Sequence, residues 1–252
     1  MTPQTGQMIA PGFGPGPGRA PWGLGDIAKA LGALIVIALI LMVPAAAIAS
    51  SLAGDKDVEK DPQALAVLIT ANIVLEALLL VVALRFSVFK YKLKLAALGF
   101  RKPERGGAWL PFAILVAAYV TLGVYYGILS AIGADKLQPS STLPDDAFKT
   151  PVVTVLTAVL AIACAPLVEE TFFRGFVFGS LRWRWSPPLA AFASGLLFAA
   201  LHFDLGSIIP FTMIGMLLAF SYDYSGSLFS NIATHVMFNT IAVVGSIVQA
   251  HT

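Results

Sequence analysis

Residues 152–181 read VVTVLTAVLAIACAPLVEETFFRGFVFGSL, an apolar run that contains two adjacent carboxylates and an arginine. A helix needs about 20 predominantly apolar residues to cross a bilayer core about 30 Å thick, so this run is long enough to span a membrane. The ionisable residues within it are Glu169, Glu170 and Arg174. Because ionisable side chains are costly inside a membrane, they usually mark a functional site or a paired structural site.

The apolar character extends over most of the 252 residues, of which 58% are hydrophobic and 12% are charged. A soluble domain carries about 25% charged residues, so the composition indicates a polytopic membrane protein. The predicted spans cover residues 27–52, 64–86, 108–133, 152–181, 187–203, 207–222 and 227–248. We therefore predict an all-α fold of about seven transmembrane helices. The fifth and sixth spans are short and closely linked, so a re-entrant hairpin is an alternative there.

Basic residues are concentrated in alternate loops. The largest group follows the second span and consists of Arg85, Lys90, Lys92, Lys94, Arg101, Lys102 and Arg105. Because cytoplasmic loops carry an excess of Lys and Arg, this asymmetry predicts a multi-pass protein of the cell membrane with a cytoplasmic N-terminus. With seven spans, the C-terminus then lies outside. The formal net charge of +2 is too small to suggest a nucleic-acid partner.

Composition divides the chain into three parts. Residues 1–22 are rich in Gly and Pro and have too little apolar content to pack, so we predict a disordered tail. Residues 23–134 hold the first three spans and the basic loop, which we expect to lie against anionic headgroups. Residues 150–248 hold the last four spans and most of the intramembrane polar groups. They form the predicted four-helix catalytic core.

The polar groups of the fourth span follow helical spacing. Glu170 and Arg174 are four residues apart with the acid first, which is the favoured order for an ion pair within a helix. Glu169 is rotated by about 100° from Glu170, so it points in a different direction. It has no basic residue three or four positions away in its own helix. We therefore expect the partners of Glu169 to come from other helices.

Three polar residues, Asn231, His235 and Asn239, lie one turn apart on one face of the seventh span. Such a stripe forms either interhelical hydrogen bonds or the wall of a wet cavity, and the spacing does not choose between them. His202 lies at the end of the fifth span. At about 1.5 Å per residue from the adjoining turns, Glu169 and His202 reach similar depths, which overlap that of His235. One shared site is therefore geometrically permitted.

One unpaired carboxylate, two imidazoles and one amide are sufficient for peptide-bond hydrolysis. A carboxylate and a neutral histidine can together take a proton from water. A second histidine and an asparagine amide can donate hydrogen bonds to the oxyanion of the tetrahedral intermediate. Alternatively, Glu169, His202 and His235 form a ligand set of the kind that holds a catalytic divalent metal such as Zn²⁺. These residues therefore predict a hydrolytic site, with or without a metal.

Three motifs resemble those of a known family. EETFFR at 169–174 fits E-E-x-x-x-R, FAALH at 198–202 fits F-x-x-x-H, and HVMFN at 235–239 fits H-x-x-x-N. They occur in this order at transmembrane positions. Residues 150–248 are thereby similar to the CPBP family of CAAX-protease-like intramembrane proteases. This family includes the type II CAAX prenyl endopeptidases and bacterial bacteriocin-processing or immunity proteins.

The resemblance implies a role for each matching residue. Glu169 would be the general base that acts on water with His202. His235 and Asn239 would form the oxyanion hole, and the predicted ion pair would support them. Family members have been described both as metalloproteases and as glutamate-dependent enzymes without a metal. We favour water that is activated without a tightly bound metal.

The predicted function is therefore that of an intramembrane endopeptidase acting on a membrane-associated peptide or protein. One alternative is a transporter in which the polar stripe forms a path for protons or ions. The other is a non-catalytic immunity or scaffold protein of the same fold. Prenylated substrates belong to the eukaryotic family members, so a prenylated substrate is not assumed for this chain. The sequence specifies no oligomeric state.

Overall fold

The computed structural model describes residues 20–134, 137–139 and 145–252, and these residues form helices that are joined by short loops. Where α-helical and π-helical segments follow without a break, they are treated as one helix. The helices are α1 (Leu24–Ala53), α2 (Pro62–Phe89), α3 (Leu110–Ala131), α4 (Pro151–Leu181), α5 (Pro187–Ala200), α6 (Ile208–Ser225) and α7 (Leu228–His251). Single 3₁₀ turns occur in the links at Val58–Lys60, Leu95–Leu98, Gly107–Trp109 and Asp145–Phe148.

Helix length and apolar content separate α5 from the other helices. Six helices are long and apolar enough to cross a membrane, whereas α5 has only 14 residues. The prediction of an all-α polytopic membrane protein is confirmed, and each predicted span overlaps one helix. A helix of 14 residues rises about 21 Å, which is less than the bilayer core of about 30 Å. After α5, the chain turns in a loop whose Phe203 and Leu205 are each 90% exposed.

Helices α5 and α6 form a tight hairpin because they meet through glycines. A methyl group on Gly215 would lie 2.6 Å from the Cα atom of Gly195, so a side chain at this position would force the helices apart. Membrane helices often approach each other through small residues, since apolar side chains gain little by leaving lipid for protein. The hairpin carries His202 in the loop at its tip.

Trp22, which lies two residues before α1, is packed against α4. Trp22 is completely buried, and its indole Nε1 donates a hydrogen bond to the carbonyl of Phe176 at 2.9 Å. The hydroxyl of Ser180 donates to the carbonyl of Trp22 at 3.1 Å. The tail predicted for residues 1–22 therefore ends before Trp22, because this ring is fixed by packing and by a buried hydrogen bond. Residues 1–19 of the predicted tail lie outside the described residues.

The basic stretch over residues 90–105, which was predicted to lie against lipid headgroups, also contacts the helix bundle. Lys92 and Lys94 are exposed, as the prediction requires. Leu98, however, is completely buried, and its carbonyl accepts a hydrogen bond from the Tyr222 hydroxyl at 3.0 Å. Gly99 has a φ of +97°, and a methyl group on it would lie 2.5 Å from the Tyr222 ring. The loop thus inserts into one end of the helix bundle, which the charge pattern did not indicate.

Lys90 fastens the same loop to the start of α1. Its ammonium group donates a hydrogen bond to Oδ1 of Asp26 at 2.5 Å, and the Tyr91 hydroxyl donates to Oδ2 at 2.8 Å. The Asp26 carboxylate raises the pKa of Lys90 above its ordinary value, mainly through this hydrogen bond. The end of α2 and the start of α1 are therefore held together by a charged contact.

Helix α4 contains two π-helical segments. The segments Val159–Cys164 and Glu170–Phe178 are π-helical, and α-helical segments flank both of them. π-Helical turns are rare and are frequently found at functional sites. The first π-helical segment comes just before Pro166, and the second begins at Glu170. Both therefore border the polar residues that were predicted to be functional.

Candidate active site

A cavity of about 250 Å³ lies within the helix bundle. Its polar lining consists of Asn72, Glu76, Glu169, His202, Thr234, His235 and Asn239. The other lining residues are apolar and come from α3, α4, α5, α6 and α7. All four residues that were predicted to be catalytic thus line one cavity, while their catalytic roles stay a prediction.

The two adjacent carboxylates of α4 have different surroundings. The side chain of Glu169 lines the cavity and is 15% exposed, whereas Glu170 is completely buried. The predicted ion pair is confirmed, since Nη1 of Arg174 donates to Oε1 of Glu170 at 2.9 Å. Successive residues of a helix point in different directions, so one carboxylate is enclosed by the protein and the other faces the cavity.

Both oxygens of Glu170 are occupied. Nδ2 of Asn231 donates to Oε2 of Glu170 at 3.1 Å and to the carbonyl of Leu218 at 2.7 Å. The guanidinium carbon of Arg174, which is completely buried, lies 4.6 Å from the centre of the Phe198 ring. Asn231 is therefore an interhelical contact, which is one of the two alternatives that the stripe on α7 left open. The buried pair joins α4, α5, α6 and α7.

His235 lies between the two carboxylates. Its Nδ1 donates to Oε1 of Glu170 at 3.1 Å, because a carboxylate oxygen paired with Arg174 only accepts. Its Nε2 lies 3.8 Å from Oε2 of Glu169. With the Nδ1 proton committed to Glu170, Nε2 donates a hydrogen bond only when the ring carries both protons. The buried pair thus fixes both the orientation and the tautomer of a ring at the cavity surface.

The ring of His202 is held by its own helix and by aromatic neighbours. Its Nδ1 donates to the carbonyl of Phe198 at 2.8 Å, which leaves the lone pair of a neutral ring on Nε2. The centres of the Phe198 and Phe211 rings lie 4.7 and 4.8 Å from that of His202. His202 is half-buried and lines the same cavity as Glu169. Its free Nε2 can therefore accept a hydrogen bond from a molecule in the cavity.

Asn239 is held in place by an irregularity of α4. The N–H of Ala165 is bonded to the carbonyl of Leu160, five residues earlier, as in a π-helix. The same pattern would pair the carbonyl of Ala161 with the N–H of residue 166, but Pro166 has no N–H. Nδ2 of Asn239 donates to this carbonyl at 2.7 Å. Pro166, which is not part of the three motifs, therefore leaves the Ala161 carbonyl without a backbone donor. This carbonyl is the acceptor that holds the Asn239 amide.

We expect the cost of losing the Asn239 amide to depend on Pro166. In Asn239→Leu the Ala161 carbonyl loses its donor, so the free energy of unfolding should fall by about 1–3 kcal/mol. In a Pro166→Ala background the new backbone N–H can take up that carbonyl, and the cost of Asn239→Leu should shrink. A double-mutant cycle of unfolding in mixed micelles measures this coupling. Equal costs in both backgrounds would contradict the assignment.

The alternative of a metal site is not supported by the arrangement of the side chains. Over residues 20–134, 137–139 and 145–252, no three His, Cys, Asp or Glu side chains are close enough together to hold a metal ion. Glu169, His202 and His235 line one cavity without forming such a set. The arrangement therefore gives no support to a zinc ligand set of these three residues, and the preference for a metal-free site stays a prediction.

Helix α2 also contributes polar groups to the cavity. The residues predicted to be catalytic all come from the four C-terminal helices, yet Asn72 and Glu76 line the cavity together with Glu169. The cavity is therefore not built by the C-terminal half alone. A signal was present in the sequence, because two polar residues four positions apart share one face of an apolar helix.

The helices and the polar cavity define a multi-pass membrane protein with a site inside its membrane-spanning part. Residues 151–241 match the family model described as Type II CAAX prenyl endopeptidase Rce1-like. The chain is 29% identical over 89 residues to "Putative membrane peptidase YdiL" of Bacillus subtilis (strain 168), which covers 35% of this chain and 36% of that protein. It is 27% identical over 145 residues to "Uncharacterized 24.3 kDa protein" of Escherichia coli, and this match covers 54% of this chain and 63% of that protein.

Residues 151–241 are similar to the Rce1-like type II CAAX prenyl endopeptidases, in agreement with the resemblance of the motifs to the CPBP family. All three motifs fall within this segment, whereas Asn72 and Glu76 lie before it. The match covers about a third of the length of the Bacillus subtilis relative and less than two thirds of the length of the Escherichia coli relative. No solved structure matches the chain.

Proposed function

We propose that this protein is an intramembrane endopeptidase that hydrolyses a peptide bond of a membrane-associated peptide or protein. The observation that carries the proposal is one cavity within the helix bundle that Glu169, His202, His235 and Asn239 all line. The family description and the name of the Bacillus subtilis relative, which is called a membrane peptidase, support the same reaction class. The cytoplasmic N-terminus inferred from the basic loops is part of this proposal.

Water activation is the first step. Glu169 takes a proton from a water molecule while the water oxygen attacks the scissile carbonyl carbon. The lone pair on Nε2 of His202 accepts a hydrogen bond from the same water, because Nδ1 is bonded to the Phe198 carbonyl. Both side chains line the same cavity, which allows them to act on one water molecule. No metal is needed to write this step.

Stabilisation of the oxyanion is the second element. As the new C–O bond forms, the carbonyl electrons move onto oxygen and give a tetrahedral intermediate. One N–H of Asn239 is bonded to Ala161, and the other is available to donate to the oxyanion. His235 adds a second donor when its ring carries both protons. Fixed donors of this kind contribute because they do not reorganise during the reaction.

Breakdown of the intermediate completes the reaction. The C–N bond breaks, and the proton held by Glu169 passes to the leaving nitrogen. The products are a carboxylic acid and an amine, and Glu169 returns to its starting state. Glu170 and Arg174 take no direct part, since both are enclosed and bonded to each other. Their role is to position His235, which Glu170 contacts at Nδ1.

A cleavage assay with matched histidine variants tests the proposal. The purified protein in detergent is incubated with single-span peptides from membrane proteins, each with and without a prenyl group, and the products are identified by mass spectrometry. We expect cleavage by the wild type and a loss of about 10²-fold or more in His202→Ala, because water activation depends on that ring. His251→Ala, which alters an exposed histidine at the end of α7, is the matched control.

The outcomes distinguish the classes of function. Cleavage that is equal in His202→Ala and His251→Ala would exclude the proposed mechanism. Proton or ion flux into liposomes, without cleavage of any peptide by the wild type, would instead identify a transporter. The comparison of prenylated and unmodified peptides separately reports the substrate class, which the site residues do not specify.

A further inference from the structure

Glu76 has no role in the proposed hydrolysis, although it lines the same cavity as Glu169. It lies within α2, one helical turn after Asn72, and both side chains are half-buried. Residues four positions apart share a face of a helix, so the two polar groups form one surface of the cavity wall. This surface lies outside the segment that matches the family model.

When the Glu76 carboxylate is ionised, the surface formed by Asn72 and Glu76 offers only hydrogen-bond acceptors. Nδ2 of Asn72 donates to the carbonyl of Leu68 at 3.0 Å, which leaves the amide oxygen as the free end. Oε2 of Glu76 is buried and has no hydrogen-bond partner among the described residues. An ionised carboxylate accepts hydrogen bonds and donates none. A ligand that satisfies both groups must therefore bring the donors itself.

The acidic side chains that line the cavity have no lysine or arginine partner among the other described lining residues. Two carboxylates, Glu76 and Glu169, line it, whereas no Lys or Arg is found among the described lining residues. The nearby cation Arg174 is already paired with Glu170. A carboxylate surrounded by apolar groups is stabilised by a cation at hydrogen-bond distance, and removal of that cation is costly. The cavity therefore favours a guest that carries positive charge.

We propose that Asn72 and Glu76 bind a lysine or arginine side chain of the peptide substrate next to the scissile bond. This inference rests on the proposed peptidase function and adds the substrate class. A basic side chain provides the N–H donors that the surface lacks and the positive charge that the two carboxylates lack. Its apolar stem matches the apolar remainder of the cavity lining. Glu76 is a specificity residue here, while Glu169 is left free to act on water.

Paired substrates test the inference. Each pair consists of one single-span peptide with lysine and one with norleucine at the same position, and that position is moved along four residues on each side of the cleavage site. We expect the wild type to prefer lysine at one of these positions by about tenfold or more in kcat/KM, since a desolvated charge pair is formed. In Glu76→Gln this ratio should fall towards one, and in Asn72→Ala it should be reduced.

Two further variants keep the result interpretable. Glu59→Gln removes a carboxylate from an exposed site and should retain the wild-type ratio. Glu76→Lys should reverse the preference, so that a peptide with glutamate at that position is cleaved faster than its lysine counterpart. A fold check by circular dichroism accompanies each variant. The wild-type ratio itself decides the inference even if a variant does not fold.

Failure of the inference and failure of the proposed function give different results. If the wild type cleaves lysine and norleucine peptides equally at every position, the peptidase stands and the basic-residue site is excluded. If the wild type cleaves nothing, the peptidase is excluded. In that case, the affinities of the wild type and of Glu76→Gln for fluorescent lysine and norleucine peptides are measured. They test whether Asn72 and Glu76 bind a basic side chain. A preference for lysine that Glu76→Gln abolishes supports the site, and equal binding overturns it.

Discussion

In Glu169→Gln we expect kcat to fall by about 10³-fold or more without loss of the folded protein. Glutamine has nearly the same shape as glutamate but cannot take a proton from water, and general-base catalysis contributes about 10²–10⁴-fold. Nε2 of His235 lies 3.8 Å from Oε2 of Glu169, which is too long for a hydrogen bond. The substitution therefore removes chemistry and no close structural contact.

Steady-state cleavage and thermal unfolding, measured on the same preparation, check this expectation. Glu59→Gln serves as the matched control because it makes the same change at an exposed position. Glu169→Gln should unfold within a few degrees of the wild type. Retention of more than a tenth of the wild-type kcat in Glu169→Gln would remove Glu169 from the role of general base.

The neighbouring ion pair should show the opposite behaviour. In Arg174→Met we expect the free energy of unfolding to fall by about 3–5 kcal/mol, because a buried carboxylate loses its cation. Arg174 and Glu170 are both completely buried, so bulk solvent does not contact the carboxylate in place of the guanidinium. The Arg174 side chain also contacts the Phe198 ring, so its loss loosens α5 as well as α4.

Arg105→Met is the control for this second substitution, since Arg105 is exposed on the basic loop. Unfolding is followed by tryptophan fluorescence in mixed micelles. A further substitution, Glu170→Gln in the Arg174→Met background, should restore part of the stability because the unpaired charge is removed. If Arg174→Met unfolds under the same conditions as Arg105→Met, the buried pair does not stabilise the fold.

The membrane-spanning helices follow from the sequence because their requirements are local. A helix must be about 20 apolar residues long to cross the bilayer, and a Glu and an Arg four residues apart meet on its surface. These rules predicted the spans and the pair formed by Glu170 and Arg174 without knowledge of the packing. The motifs that contain Glu169 and His202 also identified residues that line one cavity.

The features that were missed depend on contacts between distant parts of the chain. Trp22 reaches α4 across more than 150 residues, and the carbonyl of Leu98 meets Tyr222 across 124 residues. Glu76 reaches the cavity only because α2 packs beside α4. The effect of Pro166 requires knowledge that the preceding turn is π-helical. Neither composition nor helical spacing reports which distant groups a segment will meet.

The short helix α5 has a consequence for the surrounding lipid. Its 14 residues fall several ångströms short of the bilayer thickness, and the exposed Phe203 and Leu205 follow at its end. Hydrophobic mismatch of this kind draws the adjacent leaflets together at a cost of fractions of a kcal/mol per Å. We therefore expect the bilayer to be thinner beside α5 than beside the longer helices, which would bring the lipid headgroups closer to His202.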